Sequence, residues 1–340
     1  MTDGPLRVGV IGCGYWGINY VRVFSELPRV KVDRAADRRA DRRQLLSQRF
    51  PSLVTCEDYA EIVTDPDIDA VVVATPAVAH YPIVKECLQH GKHILVEKPM
   101  TTRVDHAEEL VGLAQEHQVS LMVGYTFLYN DGIRKVKSLL DSDDFGEVYY
   151  LYATRTNLGP LREDVSAIWD LAPHDISIFD YLLNQTPVQV SAIGARPLRN
   201  KREDVGFITL TYANGVVGHI HVSWADPQKV RQVVIVGSRR RIVFDDVNTL
   251  EQVRVFEKGV APASAEANNF GEYSYLVRDG DVISPKIQAG EPLKNQCSHF
   301  LDVIEGTATP LSDGTKGVEV ARVMAAVEKS VAGHGCPIDV

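Results

Sequence analysis

The chain has 340 residues, of which 45% are hydrophobic and 24% charged, a length and composition typical of a globular protein with two domains. Its formal net charge of -9 argues against a nucleic-acid surface, although a local basic pocket for an anionic substrate remains compatible with it. No apolar run approaches the ~18 residues of a membrane span, and residues 1–5 lack a signal-peptide pattern. Five widely spaced cysteines indicate neither disulfides nor a zinc site, so we expect a cytoplasmic protein with reduced thiols.

Strands and helices alternate in the first third of the chain. The predicted strands are 6–11, a short run ending at Asp37, 53–55, 69–76, 93–97 and 120–124. Between them lie predicted helices, the first marked by Ile18, Val21 and Phe24 and the others at 39–50, 57–63, 77–89 and 103–117. This alternation predicts an α/β domain with a doubly wound parallel sheet. We assign residues 1–124 to it.

The rhythm changes after about residue 125. Helices are predicted at 133–140 and 170–183, a strand at 147–155, and an irregular loop at 156–166. Strands then follow one another at 188–195, 206–212, 216–224, 231–236 and 242–245, with a hairpin turn at 213–215. Residues 257–292 read as a long loop and a candidate lid, followed by helices 293–305 and 315–331. We predict an α+β domain at 125–340 with a large, mostly antiparallel sheet, and leave open whether the last helix packs back on the first domain.

A glycine-rich turn links the first predicted strand to the first helix. In Gly12-Cys-Gly14-Tyr15-Trp16-Gly17, the first glycine permits the tight turn, the second lets a pyrophosphate approach the backbone, and the third lets helix and strand pack closely. The phosphates would lie at the positive end of the helix dipole, beside Tyr15 and Trp16. Surface turns also use glycine, but the strand, helix and second strand in register favour a dinucleotide.

An acid ends the second strand. Asp37 lies 20 residues after Gly17, the spacing at which a carboxylate reaches the adenosine ribose 2'-hydroxyl. A carboxylate there repels a 2'-phosphate, so NAD is favoured over NADP. Arg38 and Arg39 follow at once and could accept the extra phosphate.

Two further strands end in polar residues. In an open parallel sheet, ligands bind beyond the carboxyl ends of the strands, where Thr75-Pro76 and Glu97-Lys98-Pro99 stand. The functional interpretation places Lys98 beside the nicotinamide. The alternative is a surface turn in which Glu97 and Lys98 form a salt bridge.

Asp170 and His174 form the second candidate constellation. Because proline is tolerated in the first turn of a helix, Pro173 predicts a helix that begins at Asp170, with Asp170 and His174 on one face. A histidine in the first turn feels the positive dipole end, which favours the neutral imidazole of a general base. Alternatively, Asp170 caps the helix and His174 packs beneath it. One histidine and one acid fall short of a metal site.

Two histidines lie on one predicted strand. Alternation puts His219 and His221 on one face and Ile220, Val222 and Trp224 on the other. Without a third ligand we predict no metal there. The histidine face is a candidate surface for pairing with another subunit.

Taken together, these motifs resemble the Gfo/Idh/MocA family of oxidoreductases across nearly the full chain. The matching pieces are GVIGCGYWG (9–17), Asp37, ATPAVAH (74–80), EKP (97–99) and WDLAPHD (169–175). The resemblance implies a Rossmann domain, a C-terminal sheet domain used for oligomerisation, and a pyranose or polyol substrate. It places Lys98, Asp170 and His174 in catalytic positions, adds His80, Glu97 and Tyr125 to the cofactor contacts, and allows a cis Lys98-Pro99 bond.

Within that family the chain is similar to the branch that acts at C3 of nucleotide-linked sugars, which includes UDP-N-acetylglucosamine 3-dehydrogenases. The segments that carry this likeness are 125–130, 155–159 and 223–231. The implied substrate contacts are Lys98, Tyr125, Arg155, Asn157, Arg162, Trp169, Asp170 and His174. Arginines at 155 and 162, predicted to lie in a loop, suit a diphosphate, although surface arginines are often merely solvated.

Three functions remain open on the sequence. The leading hypothesis is an NAD-dependent dehydrogenase of a nucleotide sugar, working as a homo-oligomer through the C-terminal sheet. The second is a free polyol or hexose dehydrogenase, or a 3-ketosugar reductase running in the opposite direction. The third is a ligand-sensing regulator that binds cofactor without turnover, against which the joint presence of Lys98, Asp170 and His174 argues.

Overall fold

The computed structural model describes residues 4–159, 161, 165–199, 201–262, 275–288 and 290–340. It divides into two compact units. The first unit comprises Met1–Tyr129 and Gly290–Arg322, and the second Asn130–Ala289 and Val323–Val340. The chain therefore passes between the units three times, where the sequence suggests one boundary at residue 124.

The first unit is built from alternating strands and helices. Its strands are β1 (Leu6–Ile11), β2 (Val30–Ala36), β3 (Val54–Cys56), β4 (Ala70–Val73), β5 (His93–Val96) and β6 (Leu121–Val123). The helices between them are α1 (Tyr15–Ser25), α2 (Ala40–Arg49), α3 (Ala60–Val63), α4 (His80–Gln89) and α5 (Val104–Glu116).

These strands form a parallel sheet in the order β3-β2-β1-β4-β5-β6. The four residues of β4 are completely buried, because helices cover both faces of a doubly wound sheet. The order reverses between β1 and β4, which is where such sheets bind ligands. The predicted fold of this half is confirmed.

The second unit begins with α6 (Asp131–Leu140), β7 (Val148–Leu158) and α7 (Ala167–Leu183). Its further strands are β8 (Gln189–Ala195), β9 (Val205–Thr211), β10 (Val217–Ser223), β11 (Ala225–Gly237), β12 (Arg241–Asp245), β13 (Val253–Phe256), β14 (Gly259–Pro262), β15 (Tyr275–Arg278), β16 (Val282–Ile283) and β17 (Ile338–Asp339). Late in the chain lie α8 (Pro292–Ile304), in the first unit, and α9 (Gly314–Ala332).

A large sheet dominates this unit. Within the described residues its order is β16-β13-β12-β11-β7-β10-β9-β8-β17, and neighbours run antiparallel except β7 and β10. The mostly antiparallel α+β prediction is confirmed. The turn at Gly215, whose φ is +85°, joins β9 and β10 as the hairpin signal predicts. His219 and His221 share one face of β10, while Ile220, Val222 and Trp224 are buried.

Three local predictions in this half are wrong. Strand β7 runs to Leu158, beyond the end of the strand predicted at 147–155, so Arg155 lies within the strand and not in the loop with which it was grouped. Helix α7 begins at Ala167, with the Ser166 side chain accepting a hydrogen bond from the Trp169 N–H. The segment predicted as loop 257–292 contains strands β14 to β16; its stretch 263–274 lies outside the described residues, as does the predicted lid that would include it.

In the parts of the chain that the structure describes, no helix combines the length and the apolar character needed to cross a membrane.

Candidate active site

The turn after β1 depends on two of its glycines for steric reasons. Gly12 has a φ of +89°, and a Cβ there would lie 2.8 Å from the backbone of Ala74. A Cβ on Gly17 would lie 1.8 Å from the carbonyl oxygen of Gly12, which is closer than two non-bonded atoms can approach. Both positions therefore exclude any side chain, because β1, β4 and α1 approach closely here.

Gly14 is different, because a Cβ at this position would meet nothing within 4 Å. The residue is the N-cap of α1, where no side chain caps the helix and no acid stands in the first turn. Its backbone thus faces open space at the positive end of a helix, an arrangement that fits a pyrophosphate. Tyr15 and Trp16, both exposed, flank it with their rings edge to face, 5.4 Å apart.

Asp37 is tied to this turn. Its carboxylate accepts hydrogen bonds from the backbone N–H of Cys13 (2.7 Å) and of Arg39 (2.9 Å). The acid therefore connects the glycine turn to the start of α2. Arg38 is exposed, whereas the guanidinium of Arg39 contacts Asp41 at 2.7 Å. Contacts of Asp37 and Arg38 with a cofactor remain predictions.

The ends of β4 and β5 are joined by a buried imidazole. The ring nitrogens of His80 lie 2.8 Å from the carbonyl oxygens of Thr75 and Pro99. A neutral imidazole has one N–H and donates to one of these oxygens, and only a ring that carries both protons donates to the two together. His80 thus fixes the position of the turn that includes Thr75 and Pro76 relative to Pro99. The hydroxyl of Thr75 is buried and has no hydrogen-bond partner among the described residues.

Glu97 and Lys98 follow β5. The Glu97 side chain is 7% exposed, and its carboxyl group accepts hydrogen bonds from the Tyr20 hydroxyl (2.8 Å) and the Lys98 backbone N–H (3.2 Å). Burial raises the pKa of Glu97 above its ordinary value, while the Tyr20 bond and the charge of Lys98 oppose that shift. Lys98 is half-buried. The Lys98-Pro99 bond is cis.

Asp170 and His174 lie on the accessible side of α7. Both are half-buried, whereas Leu171, Pro173 and Asp175 are buried, so the shared face is confirmed. Since α7 begins at Ala167, His174 is its eighth residue and lies beyond the first turn. The dipole argument for a neutral imidazole therefore does not apply, because that effect is confined to the helix end.

Arg155 has a structural partner that the sequence did not indicate. Its guanidinium donates two hydrogen bonds to Asp175, at 2.8 and 2.7 Å, and the two side chains are 3% and 1% exposed. This paired, buried placement replaces the predicted loop arginine. The ion pair connects β7 to the helix that carries Asp170 and His174.

The remaining predicted substrate residues have different surroundings. Tyr125 and Trp169 are buried, and the indole N–H of Trp169 lies 3.3 Å from a Glu328 oxygen. The Asn157 amide donates to the carbonyl of Gly159. Arg162 lies outside the described residues. Their contacts with a substrate remain predictions, as does the meeting of Lys98 with Asp170 and His174.

No group of three or more His, Cys, Asp or Glu side chains in the described ranges could hold a metal ion. The rings of His219 and His221 instead stack near the ring of Phe207, with centroid distances of 6.4 Å for His219 and 4.6 Å for His221. Burial lowers the pKa of both histidines.

A doubly wound sheet, a glycine turn open at the start of α1, and polar residues at the strand ends define an oxidoreductase with a dinucleotide-binding domain. The chain belongs to the Gfo/Idh/MocA family: residues 6–125 match the profile "Oxidoreductase family, NAD-binding Rossmann fold", and residues 133–243 match the "GFO/IDH/MocA C-terminal domain". The two matches together cover more than half of the chain.

Three similar proteins illustrate the range of this family. The chain is 28% identical to UDP-N-acetylglucosamine 3-dehydrogenase of Acidithiobacillus ferrooxidans, over 94% of this chain and 95% of the relative. It is 30% identical to inositol 2-dehydrogenase of Mycolicibacterium smegmatis, over 58% of each chain. The WlbA dehydrogenase from Bordetella pertussis, solved with NADH and UDP-GlcNAcA, shares the fold with a TM-score of 0.83 at 19% identity, over 100% of this chain and 99% of that one.

Proposed function

We propose that the chain is an NAD-dependent dehydrogenase that oxidises a secondary hydroxyl of a sugar, namely C3 of a UDP-N-acetylhexosamine. The observation that carries the proposal is the presence of Lys98 at the ligand end of β5, and of Asp170 and His174 on the accessible face of α7, in a chain 28% identical to a UDP-N-acetylglucosamine 3-dehydrogenase over 94% of its length.

Each of the three residues has a chemical task in this reaction. An imidazole nitrogen of His174 takes the hydroxyl proton, a transfer that typically contributes about 10² to 10⁴ in rate. The ammonium of Lys98 donates a hydrogen bond to the same oxygen and stabilises the developing negative charge. Asp170, one helical turn before His174, orients the imidazole and balances its charge. NAD, when bound, supplies the hydride acceptor at nicotinamide C4.

The residues of the first unit favour NAD over NADP. Asp37 holds a carboxylate beside the glycine turn through the Cys13 N–H, where it repels a 2'-phosphate. Of the two nearby cations that could offset this repulsion, Arg39 contacts Asp41 and Arg38 is exposed.

The two arginines predicted to bind the substrate diphosphate have different standings. The buried Arg155 is bound to Asp175, so we assign it to the fold of the second unit. On the sequence alone, Arg162 remains the candidate for the substrate diphosphate.

Replacing the lysine tests the chemistry. We expect Lys98→Met to lower turnover at least a hundredfold, since an electrostatic donor typically contributes 10² to 10³, while NAD binding, measured by calorimetry, is retained. Lys85→Met is the matched control, because Lys85 lies in the same unit and pairs with Glu109 at the surface. Full turnover by the Lys98 variant would refute the assignment.

The substrate is tested by the formation of NADH from NAD, or of NADPH from NADP, with UDP-GlcNAc, myo-inositol and glucose. Turnover of UDP-GlcNAc with NAD supports the proposal. Turnover of inositol or glucose alone would favour the polyol or hexose alternative. NADH consumption with a 3-ketosugar is the reverse of the proposed oxidation, so it would favour the reductase only if none of the alcohols is oxidised. Tight binding of NAD without any turnover would indicate a sensing protein.

We also propose that the open face of the large sheet mediates self-association. Ile193, Phe207 and His221 form a row across β8, β9 and β10, and Ile193 and Phe207 are exposed apolar residues. Neighbouring exposed apolar side chains on a sheet face are typical of subunit contacts. Sedimentation velocity tests this: a monomer at micromolar concentration would contradict it.

A further inference from the structure

A buried polar cluster lies behind Lys98, built from three elements of the first unit. Tyr20 of α1 and Gln296 of α8 are both 0% exposed, and Glu97 is nearly so. The Tyr20 hydroxyl donates to Glu97 (2.8 Å) and accepts from the Gln296 amide (3.5 Å). The other oxygen of Glu97 accepts from the Lys98 N–H. A hydrogen-bonded chain thus runs from α8 to the backbone of the predicted catalytic lysine.

The surrounding structure holds this cluster in place. Helix α8 packs against α1, and near this contact Arg29 pairs with Asp302 (2.7 Å) and Glu305 (2.8 Å). On α8 the buried positions are Leu293, Gln296, Cys297, Phe300 and Leu301, so a glutamine interrupts an otherwise apolar stripe. A Cβ on Gly124 would lie 3.3 Å from both the Glu97 carboxyl carbon and the Tyr20 oxygen. A side chain at position 124 would therefore press against both Glu97 and Tyr20.

The amide of Gln296 can either donate a hydrogen bond to the Tyr20 hydroxyl or accept one from it. When Glu97 is ionised, Tyr20 donates to it and the Gln296 NH₂ donates to Tyr20, which leaves the Gln296 oxygen without a partner among the described residues. When Glu97 is protonated it can donate to Tyr20, and Tyr20 can then donate to the Gln296 oxygen after the amide rotates. The amide completes the chain in both states, whereas an apolar side chain of similar size completes neither.

We infer that Tyr20, Glu97 and Gln296 are positioning residues for the dehydrogenase reaction, holding an ionised carboxyl group against the Lys98 backbone and so fixing the lysine ammonium at the ligand end of β5. The inference rests on the proposed role of Lys98. It assigns catalytic influence to two residues, Tyr20 and Gln296, that need no contact with substrate or cofactor.

The neighbours of Glu97 decide which group titrates. The pKa values of the Tyr20 phenol and the Cys297 thiol of α8 are raised well above their ordinary values, in both cases first by burial, so both groups stay neutral. Lys98 is the adjacent cation, and the Tyr20 hydrogen bond lowers the pKa of Glu97. Loss of the phenol hydroxyl therefore lets Glu97 take up a proton at higher pH, which removes the negative charge beside Lys98.

The test compares Tyr20→Phe with Tyr59→Phe. Tyr59 also donates to a glutamate, Glu86, at 2.8 Å in the same unit, so both variants lose one tyrosine–glutamate bond. For Tyr20→Phe we expect kcat to fall about tenfold, the effect of one hydrogen bond to a charged group, with KM unchanged and the acid limb of the pH–rate profile moved to higher pH. Tyr59→Phe should match the wild type. A Tyr20 variant with wild-type kcat and pH profile would overturn the inference.

A second measurement does not depend on the substrate assignment. The rate at which acetic anhydride acetylates Lys98, followed by mass spectrometry, reports how firmly the lysine side chain is held at the end of β5. We expect faster acetylation at a given pH in Tyr20→Phe and Glu97→Gln than in the wild type, and no change in Tyr59→Phe. Faster acetylation without any sugar turnover would retain the cluster and reject the proposed substrate; equal rates in all four proteins would reject the cluster.

Gln296→Met, which keeps the side-chain volume, tests the third residue. Its rate of Lys98 acetylation should lie between those of the wild type and Tyr20→Phe. A rate equal to that of the wild type would remove Gln296 from the cluster.

Discussion

Two buried carboxyl groups stand next to predicted catalytic residues, one in each unit. Glu97 immediately precedes Lys98, and Asp175 immediately follows His174. Glu97 is held by a phenol and a backbone N–H, whereas Asp175 is held by two nitrogens of a buried guanidinium. Both donors to Glu97 are neutral, and burial raises the pKa of this carboxyl group against the opposing charge of Lys98, whereas the guanidinium gives Asp175 two charge-assisted hydrogen bonds. The first arrangement is therefore suited to tuning charge beside Lys98, and the second to fixing the helix that carries His174.

The largest expected effect comes from removing the ion-paired carboxylate. Asp175→Ala should lower the free energy of unfolding by about 3–5 kcal/mol, because it breaks a buried ion pair by removing one of its two partners. Urea unfolding followed by tryptophan fluorescence measures it, since Trp169 and Trp224 lie in the same unit. Asp141→Ala, which removes an exposed carboxylate paired with Lys137 four residues before it on α6, should cost about 0.3–0.5 kcal/mol, the usual contribution of such a helix pair. Equal losses of unfolding free energy in the two variants would mean that the buried pair contributes no more to stability than the pair on α6.

A double replacement sharpens the comparison. Arg155→Met with Asp175→Leu removes both charges and keeps apolar volume, so it should be more stable than either single variant, because buried ion pairs gain little over well-packed hydrophobic residues. The coupling measured in this cycle should be about 3 kcal/mol or less. If the double variant is as unstable as Asp175→Ala, the pair holds β7 and α7 by geometry that hydrophobic packing cannot replace.

The sequence predicted the parts of this site that depend on local spacing. Gly12 and Gly17 lie in the tight turn, and Asp37 lies beside it, because a turn and a strand end are separated by a fixed number of residues. The alternation in β10 likewise separates His219 from Ile220. The start of α7 was misplaced because Asp170 and Pro173 look like a first turn, whereas Ser166 caps the helix. Ser166 has the side chain of a good N-cap, and this was the signal overlooked.

The supporting residues could not be found in the same way. Tyr20 meets Glu97 across 77 positions and Gln296 across 276, and Arg155 meets Asp175 between a strand and a helix. No periodicity relates such positions, since the contacts are made by tertiary packing. A weak signal existed at Gln296, a polar residue on the apolar stripe of α8.

The smallest expected effect is a pH dependence that separates the two carboxyl groups. Because the folded-state pKa of Glu97 is raised above its ordinary value of 4.5, the folded chain binds this proton more readily than the unfolded chain. The resulting stability is fully present below about pH 4.5 and is lost as the pH rises through the folded-state pKa. Glu97→Gln carries no such proton, so its free energy of unfolding relative to the wild type should increase across that window. Glu109→Gln gives the opposite sign, because its pairing with Lys85 lowers the pKa of Glu109, and stability from that group is lost as the pH falls. If the free energies of unfolding of Glu97→Gln and the wild type change with pH in parallel, Glu97 does not exchange a proton in this range. The proposed difference between the two buried carboxyl groups would then be wrong.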